Sequence, residues 1–492
     1  MSETFDVLIV GAGITGIGTA CHIQAQLPGK TFAVLEREPT FGGTWHTNRY
    51  PGARSDSDLY TYAYRFKPWL GDKPVATRHE ILDYMREVIA EHGLSPHIRY
   101  GHEAVSADWS SAEQVWTLTA RNTGSGERVV LKARFLAMAQ GYYHHHKGHT
   151  PDWPGLSSYK GRIVHTQAWP DDLDTAGKSI VIIGSGATAA TMVPALAATS
   201  GPITVLQRSP SYYTPGVGAT SGALGLAAEL RALGIEETTI YDICRRKSLR
   251  DEALYLDRVQ SEPEAVAAEL IGGVRQSLGP DYDIATHFTP RYRPWQQRLC
   301  YIPGGDMLDA IKRGKVEMVT DEIERFTESS IRLKSGRELK ADLVVTATGF
   351  DICILGDIAF TKDGAPIDAG RTLNYRGMML SGVPNLTWTF GYLRASWTLR
   401  VDMNADFLCR LIGYLDAHGL RSATPEPLPD ERSLRPLPWV DPESFSSGYI
   451  ARSIDKLPKR LDRPEWQHLH DYWAEKDAIP AIDLEDGRLV FA

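Results

Sequence analysis

Cysteine is scarce in this chain: five residues in 492, Cys21, Cys244, Cys300, Cys353 and Cys409, with no two close in sequence. Without a CxxC pair, a redox dithiol or a cysteine-rich zinc site is not expected, and a reducing, cytoplasmic compartment is the simplest reading. Long hydrophobic runs are also missing, so no segment is expected to span a bilayer and the protein should be soluble. Strand-like Phe5 to Val10 begins almost at once, which leaves no room for a charged leader and a hydrophobic signal core. A basic excess is absent too. The 53 Lys and Arg stand against 61 Asp and Glu, a net charge of -8, and nucleic acid is therefore not expected as a partner. The remainder, 42% hydrophobic and 23% charged, is ordinary globular composition. Its length exceeds what one core organises, so two or three domains are expected.

Two glycine fingerprints stand out. Apolar Phe5 to Val10 runs into GAGITG and then a helix-like segment, the strand, tight turn and helix of a dinucleotide-binding unit. Gly11 permits the turn, Gly13 lets backbone approach a pyrophosphate, and Gly16 lets helix and strand pack closely. Glu36, at the end of strand-like TFAVLE, is placed to accept hydrogen bonds from ribose hydroxyls. The second copy is SIVIIGSGATA, in which Gly184, Gly186 and Ala189 repeat the pattern. Where an acid should follow, ITVLQRSP offers Gln207 and Arg208. Loss of the acid removes repulsion of a 2'-phosphate and the arginine supplies a cation to bind it, so NADPH is expected rather than NADH.

Each module also carries a β-excursion and a terminal strand closing on glycine: VWTLTARNTGSGERVVLKARFLAMAQG to Gly141, and IRLKSGRELKADLVVTATGF to Gly349. The predicted fold class is α/β with two Rossmann-like domains. Between Pro215 and Pro294 the pattern turns helical, and Leu399 to Gly419 is apolar at helical spacing. The doubled plan resembles the two-dinucleotide-domain flavoproteins, in which FAD binds the first fingerprint and the chain returns to that domain after the Ala347 to Gly349 segment. That resemblance implies an NADPH-binding domain (146–213 and 297–349) inserted in an FAD-binding domain (1–145 and 350–492), with a helical insertion at 214–296.

Two longer motifs are more specific. YKGRIVHTQAWP, from Tyr159 to Pro170, ends shortly before the second fingerprint. Gly42-Gly43-Thr44-Trp45 leads to Tyr50-Pro51-Gly52 and Asp56. Paired glycines let backbone approach a planar ring, and Trp45 and Tyr50 offer apolar area that keeps water away. Both stretches resemble signatures of the type I Baeyer–Villiger monooxygenases, class B flavoproteins that insert one atom of dioxygen beside a carbonyl. PGARSDSDLYTYAYRF, IGSGATA, LQRSP and GYLRASWTL further resemble the ethionamide-activating group within that family. The resemblance implies an FAD-containing, NADPH- and O2-dependent enzyme converting lipophilic ketones to esters or lactones through a peroxide on flavin C4a, with sulfoxidation as a side activity. The alternative is a flavin-containing N- or S-monooxygenase acting on amines or sulfides. A nucleotide-binding sensor without turnover would keep both fingerprints but need neither Asp56 nor the arginine described next.

The chemistry demands a permanent cation beside the reacting oxygen, and arginine is the natural choice. In RPWQQRLCYIPGGDML the resemblance places that residue at Arg298, with Arg291 and Arg293 close enough to confuse the assignment, and Asp56 orienting it. Many relatives carry Lys-Arg where this chain has Gln297-Arg298, which leaves Arg208 to carry NADPH selectivity. The implied cofactor contacts are Gly11, Gly13, Gly16, Glu36, Gly43, Thr44, Trp45, Asp56 and Tyr62 for FAD, and Gly184, Ser185, Gly186, Ala187, Thr188, Arg208, Ser209 and Arg298 for NADPH. Gly161, His165 and Trp169 are assigned to coupling between domains, or, for His165, to interdomain packing alone. The triplet His144, His145 and His146 lacks an accompanying ligand pattern, so no metal is expected. Ser396 and Thr398 are candidate flavin contacts, whereas Trp397 reads as packing and Cys300 as a small buried residue.

Overall fold

A computed structural model describes residues 3–73, 75–214 and 219–492, with the side chains of 219–221 set aside; the start of the expected helical insertion therefore lies outside the described residues. The first fingerprint strand, Glu3–Val10, lies at the centre of a large sheet, parallel to Phe32–Leu35 on one side and to Arg128–Met138 on the other. Its apolar run is continuous because parallel strands are covered on both faces, and Val7, Leu8 and Ile9 are fully buried. The first β-excursion is an antiparallel meander of His102–Ser110, Val115–Asn122 and Arg128–Met138. The chain rejoins this sheet late: Leu386–Trp388 runs parallel to Arg128–Met138, and Ala359–Lys362 parallel to His102–Ser110.

Between these visits a second sheet forms from five parallel strands in the order Val316–Thr320, Ile203–Gln207, Ile180–Ile183, Leu343–Thr346, Arg162–His165. A three-stranded meander, Ile323–Phe326, Ile331–Leu333 and Glu338–Leu339, serves as its β-excursion. The helices Ala219–Ala232, Glu237–Ser261, Pro263–Leu278 and Ile284–His287 occupy the stretch that reads as helical. The α/β fold class with one dinucleotide unit inserted in another is borne out by this topology.

Segments of the first unit press on the second. An added Cβ at Gly52 would lie 2.6 Å from the Thr191 carbonyl oxygen, so the 50–54 turn rides directly on the helix Ala187–Ala197. Arg54 donates to Asp306 at 2.6 Å, and Gln167 Nε2 donates to the His144 carbonyl at 2.7 Å.

The fingerprint helix Ile14–Gln26 packs on the long helix Trp397–Ala417. His22, 5% exposed, bonds Asp402 at 2.8 Å and Asp406 at 3.1 Å. Burial opposes the charged ring, but the two carboxylates outweigh it and lift the His22 pKa to about 9. A pKa raised above the unfolded value stabilises the fold fully below about 6.5, and that contribution drains away as pH rises toward 9. Chemical denaturation at pH 6 and at pH 9.5 should therefore show the wild type losing about 3 kcal/mol of its advantage over His22→Gln. An advantage that stays constant across this range would refute the assignment.

Candidate functional site

A deep cavity opens where the two units meet, and it gathers residues from both fingerprints. From the first come Gly11, Gly13 and Glu36. Gly11 holds φ 108°, a left-handed conformation that favours glycine. Gly13 and Gly43 approach so closely that a Cβ on Gly43 would lie 3.0 Å from Gly13 Cα. Glu36 is buried, and its carboxylate accepts from the Ala12 N–H at 2.7 Å and the Glu38 N–H at 2.9 Å. Burial raises its pKa against the pull of those two donors. This bare backbone turn, closed by a carboxylate at a strand end, fits the diphosphate and ribose of FAD.

Thr44, Trp45, Asp56 and Tyr62 line the same cavity. Trp45 Nε1 donates to the Tyr62 hydroxyl at 2.6 Å with the rings perpendicular, which fixes both aromatics. Tyr50 is half-buried and hydrogen bonded to Thr188, its pKa pushed up to about 12 by desolvation of the ring hydroxyl. Ala187 and Thr188 reach the cavity from the start of the second fingerprint helix.

Arg298 faces the same space, its Nη1 3.5 Å from Asp56 Oδ2. Arg291 and Arg293 are exposed, and Arg293 donates to the Glu443 carbonyl. Loop geometry thus separates three arginines that sequence spacing could not. Trp295 in the same loop takes φ 60°, a strained conformation for a bulky residue and one that recurs at functional sites. Burial works against the charge on Arg298, but its surroundings, Tyr449, Tyr142, Asp56 and Tyr143, outweigh it and raise the pKa well above the ordinary arginine value. The guanidinium is a fixed positive charge.

Other expected residues lie elsewhere. Gly16 sits beneath the first turn, against the Gly11 carbonyl. Gly184 takes φ 118°, while an added Cβ at Gly186 would meet open space. Ser185 is buried, with its carbonyl accepting from Tyr213. Arg208 and Ser209 are exposed at the end of Ile203–Gln207, and Arg208 has no ion-pair partner among the described residues. An open glycine backbone with an unpaired cation beyond it fits a nucleotide bearing a 2'-phosphate. Gln207 turns inward instead, bonding the His287 carbonyl and Thr320.

His165 stands at the crossing between units. Its ring packs against Gly148, where a Cβ would lie 1.8 Å away, and its Nδ1 accepts from the Gln167 N–H. Burial lowers its pKa, so the ring is neutral. Trp169 lies in the core of the second unit, and Gly161 lies under the Tyr159 ring. His144 pairs with Asp357 at 2.9 Å and His146 with Glu103 at 3.5 Å. Among the described residues no group of three His, Cys, Asp or Glu side chains could hold a metal.

One expectation near the C-terminal loop is corrected. Ser396 and Thr398 do not line the cavity; they bond Thr61 and the Tyr62 carbonyl and so pin the short helix Leu59–Tyr62 in place. Trp397 does line it, donating to Thr15 at 2.7 Å and stacking on Tyr142 at 5.1 Å. Tyr142 and Tyr143, absent from the sequence expectations, line the cavity beside it. Their only signal was position, directly after the strand that closes on Gly141.

Comparison with known proteins follows the same lines. A family model described as an NAD(P)-binding Rossmann-like domain matches residues 9–70, and one described as L-lysine 6-monooxygenase/L-ornithine 5-monooxygenase matches residues 63–214. The chain is 42% identical over 493 residues to the FAD-containing monooxygenase EthA of Mycobacterium tuberculosis, covering 100% of this chain and 98% of the relative. It is 39% identical to the probable FAD-binding monooxygenase AlmA of an Acinetobacter species, covering 100% and 97%. Among solved structures, an oxidised steroid monooxygenase bound to NADP matches with a TM-score of 0.76 at 24% identity, covering 99% of each chain. The OTEMO complex with FAD and NADP matches at 0.74 and 19%, covering 100% of each. These two share the fold.

Proposed function

The chain belongs to the FAD-containing monooxygenases, and within that family we propose that it is an NADPH- and dioxygen-dependent Baeyer–Villiger enzyme converting lipophilic ketones to esters or lactones. The observation that carries this reading is the Arg298–Asp56 pair, 3.5 Å apart in a cavity lined by both nucleotide fingerprints. When bound, NADPH supplies hydride and FAD supplies the electron transfer that activates dioxygen.

The protein's own residues do the rest. Gly11, Gly13, Gly16, Glu36, Gly43, Thr44, Trp45 and Tyr62 hold FAD across 1–145 and 350–492. Gly184, Ser185, Gly186, Ala187, Thr188, Arg208 and Ser209 hold NADPH across 146–213 and 297–349, with 214–296 as the helical insertion. Trp45, Tyr62 and Trp397 keep water from the reacting centre. Arg298 stabilises negative charge developing on the reacting oxygens, and Asp56 orients it. Gly161, His165 and Trp169 couple the two units: neutral His165 packs where the chain passes between them, a contact that domain rotation must carry along.

Sulfur oxidation is the expected side activity: an apolar wall also admits a thioether, whose sulfur lone pair takes up the oxygen whenever that oxygen is in its electrophilic, protonated form. No helix among the described residues is long and apolar enough to cross a membrane, which supports a cytoplasmic enzyme meeting its lipophilic substrates in solution.

The test gives the FAD-loaded protein NADPH with a matched panel of ketones and thioethers, identifies products by mass spectrometry and measures hydrogen peroxide. Ester or lactone is expected from ketones. Sulfoxide with no ester from any ketone would overturn the reading in favour of an N- or S-oxygenating enzyme.

Arg208 offers a separate check. Replacing it by Ala removes a charge-assisted contact to the 2'-phosphate, so KM for NADPH should rise about tenfold or somewhat more while KM for NADH stays level. Steady-state kinetics with both nucleotides reads this directly, and equal shifts for the two would remove Arg208 from the phosphate site.

A further inference from the structure

The cavity contains a pair of phenols that neither nucleotide fingerprint nor the Arg298–Asp56 pair uses. Tyr142 and Tyr143 follow the turn at Gly141, which takes φ 79° and swings two successive side chains toward the same space. Their rings lie 4.0 Å apart and their hydroxyls 2.5 Å apart. Both are packed against residues distant in sequence that also line the cavity. Tyr142 stacks on Trp397 at 15°, and Tyr143 packs on Phe350 at 4.3 Å. A third phenol, Tyr449, has its ring 6.4 Å from Tyr142 and 6.3 Å from Tyr143. The wall is therefore rigid, aromatic and next to Arg298.

Hydrogen-bond accounting leaves a surplus. Two phenols bring two O–H hydrogens, and the bond between them consumes one. Whichever phenol donates, the other keeps a hydrogen for which the described residues provide no acceptor. The Tyr449 hydroxyl, which lies beside the pair but does not line the cavity, is buried without a hydrogen-bond partner among the described residues. The pair is half-buried, and a donor left unsatisfied once a ligand fills the cavity would cost about 1–3 kcal/mol, so the spare hydroxyl hydrogen favours a ligand that brings an acceptor to it. Burial raises the pKa of both Tyr142 and Tyr143, so both stay neutral donors at any working pH. A neutral donor beside a permanent cation suits a carbonyl oxygen, which is a strong acceptor. It does not suit a thioether, whose sulfur is a weak one.

Resting on the Baeyer–Villiger reading above, we propose that the Tyr142–Tyr143 hydroxyl pair orients substrate by donating a hydrogen bond to the ketone carbonyl oxygen, and so selects ketones over thioethers of the same shape. The pair is a specificity device on the FAD side of the cavity, separate from Arg298, which answers charge that develops later.

The experiment compares wild type, Tyr142→Phe, Tyr143→Phe and the double variant, each as FAD-loaded enzyme driven by NADPH. Each receives a cyclic ketone and the cyclic thioether of matching ring size, and ester and sulfoxide are quantified separately. The phenylalanine rings preserve the stacking on Trp397 and Phe350, and flavin absorbance checks that each variant is loaded. In the double variant the ketone KM should rise about tenfold relative to the thioether KM. Each single variant, which leaves one hydroxyl in place, should show a smaller change in the same ratio. A ratio unchanged in the double variant, with wild type making ester, overturns the proposal alone. Wild type that makes no ester from any ketone overturns the Baeyer–Villiger reading and this proposal with it.

Discussion

Arg298→Ala should cut ester formation by about 100- to 1,000-fold while NADPH continues to reduce the bound flavin, with the electrons of the consumed NADPH passing to dioxygen and appearing largely as hydrogen peroxide. The expectation rests on what the cavity offers the reacting oxygens. Asp56 is an anion 3.5 Å from the guanidinium, and the other near neighbours, Tyr142, Tyr143 and Tyr449, are phenols. Neutral phenols can orient an oxygen, but they cannot neutralise a full negative charge. Removal of Arg298 therefore leaves Asp56 uncompensated as well as removing the stabilising cation, and both changes act in the same direction on the rate. Arg298→Lys should fall between, because the ammonium keeps the charge but loses the planar fork that can face Asp56 and substrate together. Asp56→Ala should cost less than Arg298→Ala, since the cation stays and only its orientation loosens. Ester yield per NADPH consumed, followed by mass spectrometry and a peroxide assay, separates these variants. An Arg298→Ala enzyme with wild-type ester yield would take Arg298 out of the chemistry.

The doubled fold was legible because its signals are local. IVII and LVVT read as buried parallel strands, and Gly11 and Gly184, at matching positions in their turns, take nearly the same left-handed conformation. Asp56 and Arg298 were legible only through resemblance; they are 242 residues apart and meet because a loop leaving the helical insertion returns to the first unit. Tyr142 and Tyr143 were missed, and Trp397 read as packing alone, because the wall they share arises where segments near 142, 350, 397 and 449 converge, and no spacing rule encodes that. Ser396 and Thr398 misled for the opposite reason: small polar residues entering a helix read as ligand contacts, and here they spend their hydrogen bonds on the Leu59–Tyr62 turn. The charged C-terminal stretch conveyed little in sequence, yet it is tied down by ion pairs at buried positions. Arg400, fully buried, meets Glu475 at 2.7 Å, and Glu431 meets Arg488 at 2.7 Å. Pairing partners 57 and 75 residues apart cannot be read from composition.

Gly16→Ala should abolish FAD binding, and the reason separates two effects that glycine in a helix usually confounds. Gly16 does not take a left-handed conformation, and Ala in a helix is favoured over Gly by about 0.5–1 kcal/mol, so propensity alone would make the substitution stabilising. Packing opposes it far more strongly. The added Cβ would lie 1.8 Å from the Gly11 carbonyl oxygen and 3.0 Å from its carbon, and these are backbone atoms of the turn itself, with no flexible side chain to move aside. To relieve that overlap the helix must lift off the strand by more than an ångström, which carries the Gly11–Gly13 backbone away from the position where a diphosphate would sit. The second fingerprint provides the control. Its third position is already Ala189, fully buried, so that helix is built at a spacing that accepts a methyl group. Ala189→Gly should then cost about 1 kcal/mol or slightly more through a small cavity and lower helix propensity, with NADPH affinity little changed. Flavin absorbance per protein after purification, with free FAD titrated back into the apoprotein, measures the first effect. A Gly16→Ala protein that purifies fully yellow would show that the turn tolerates the displacement and that the diphosphate does not depend on it.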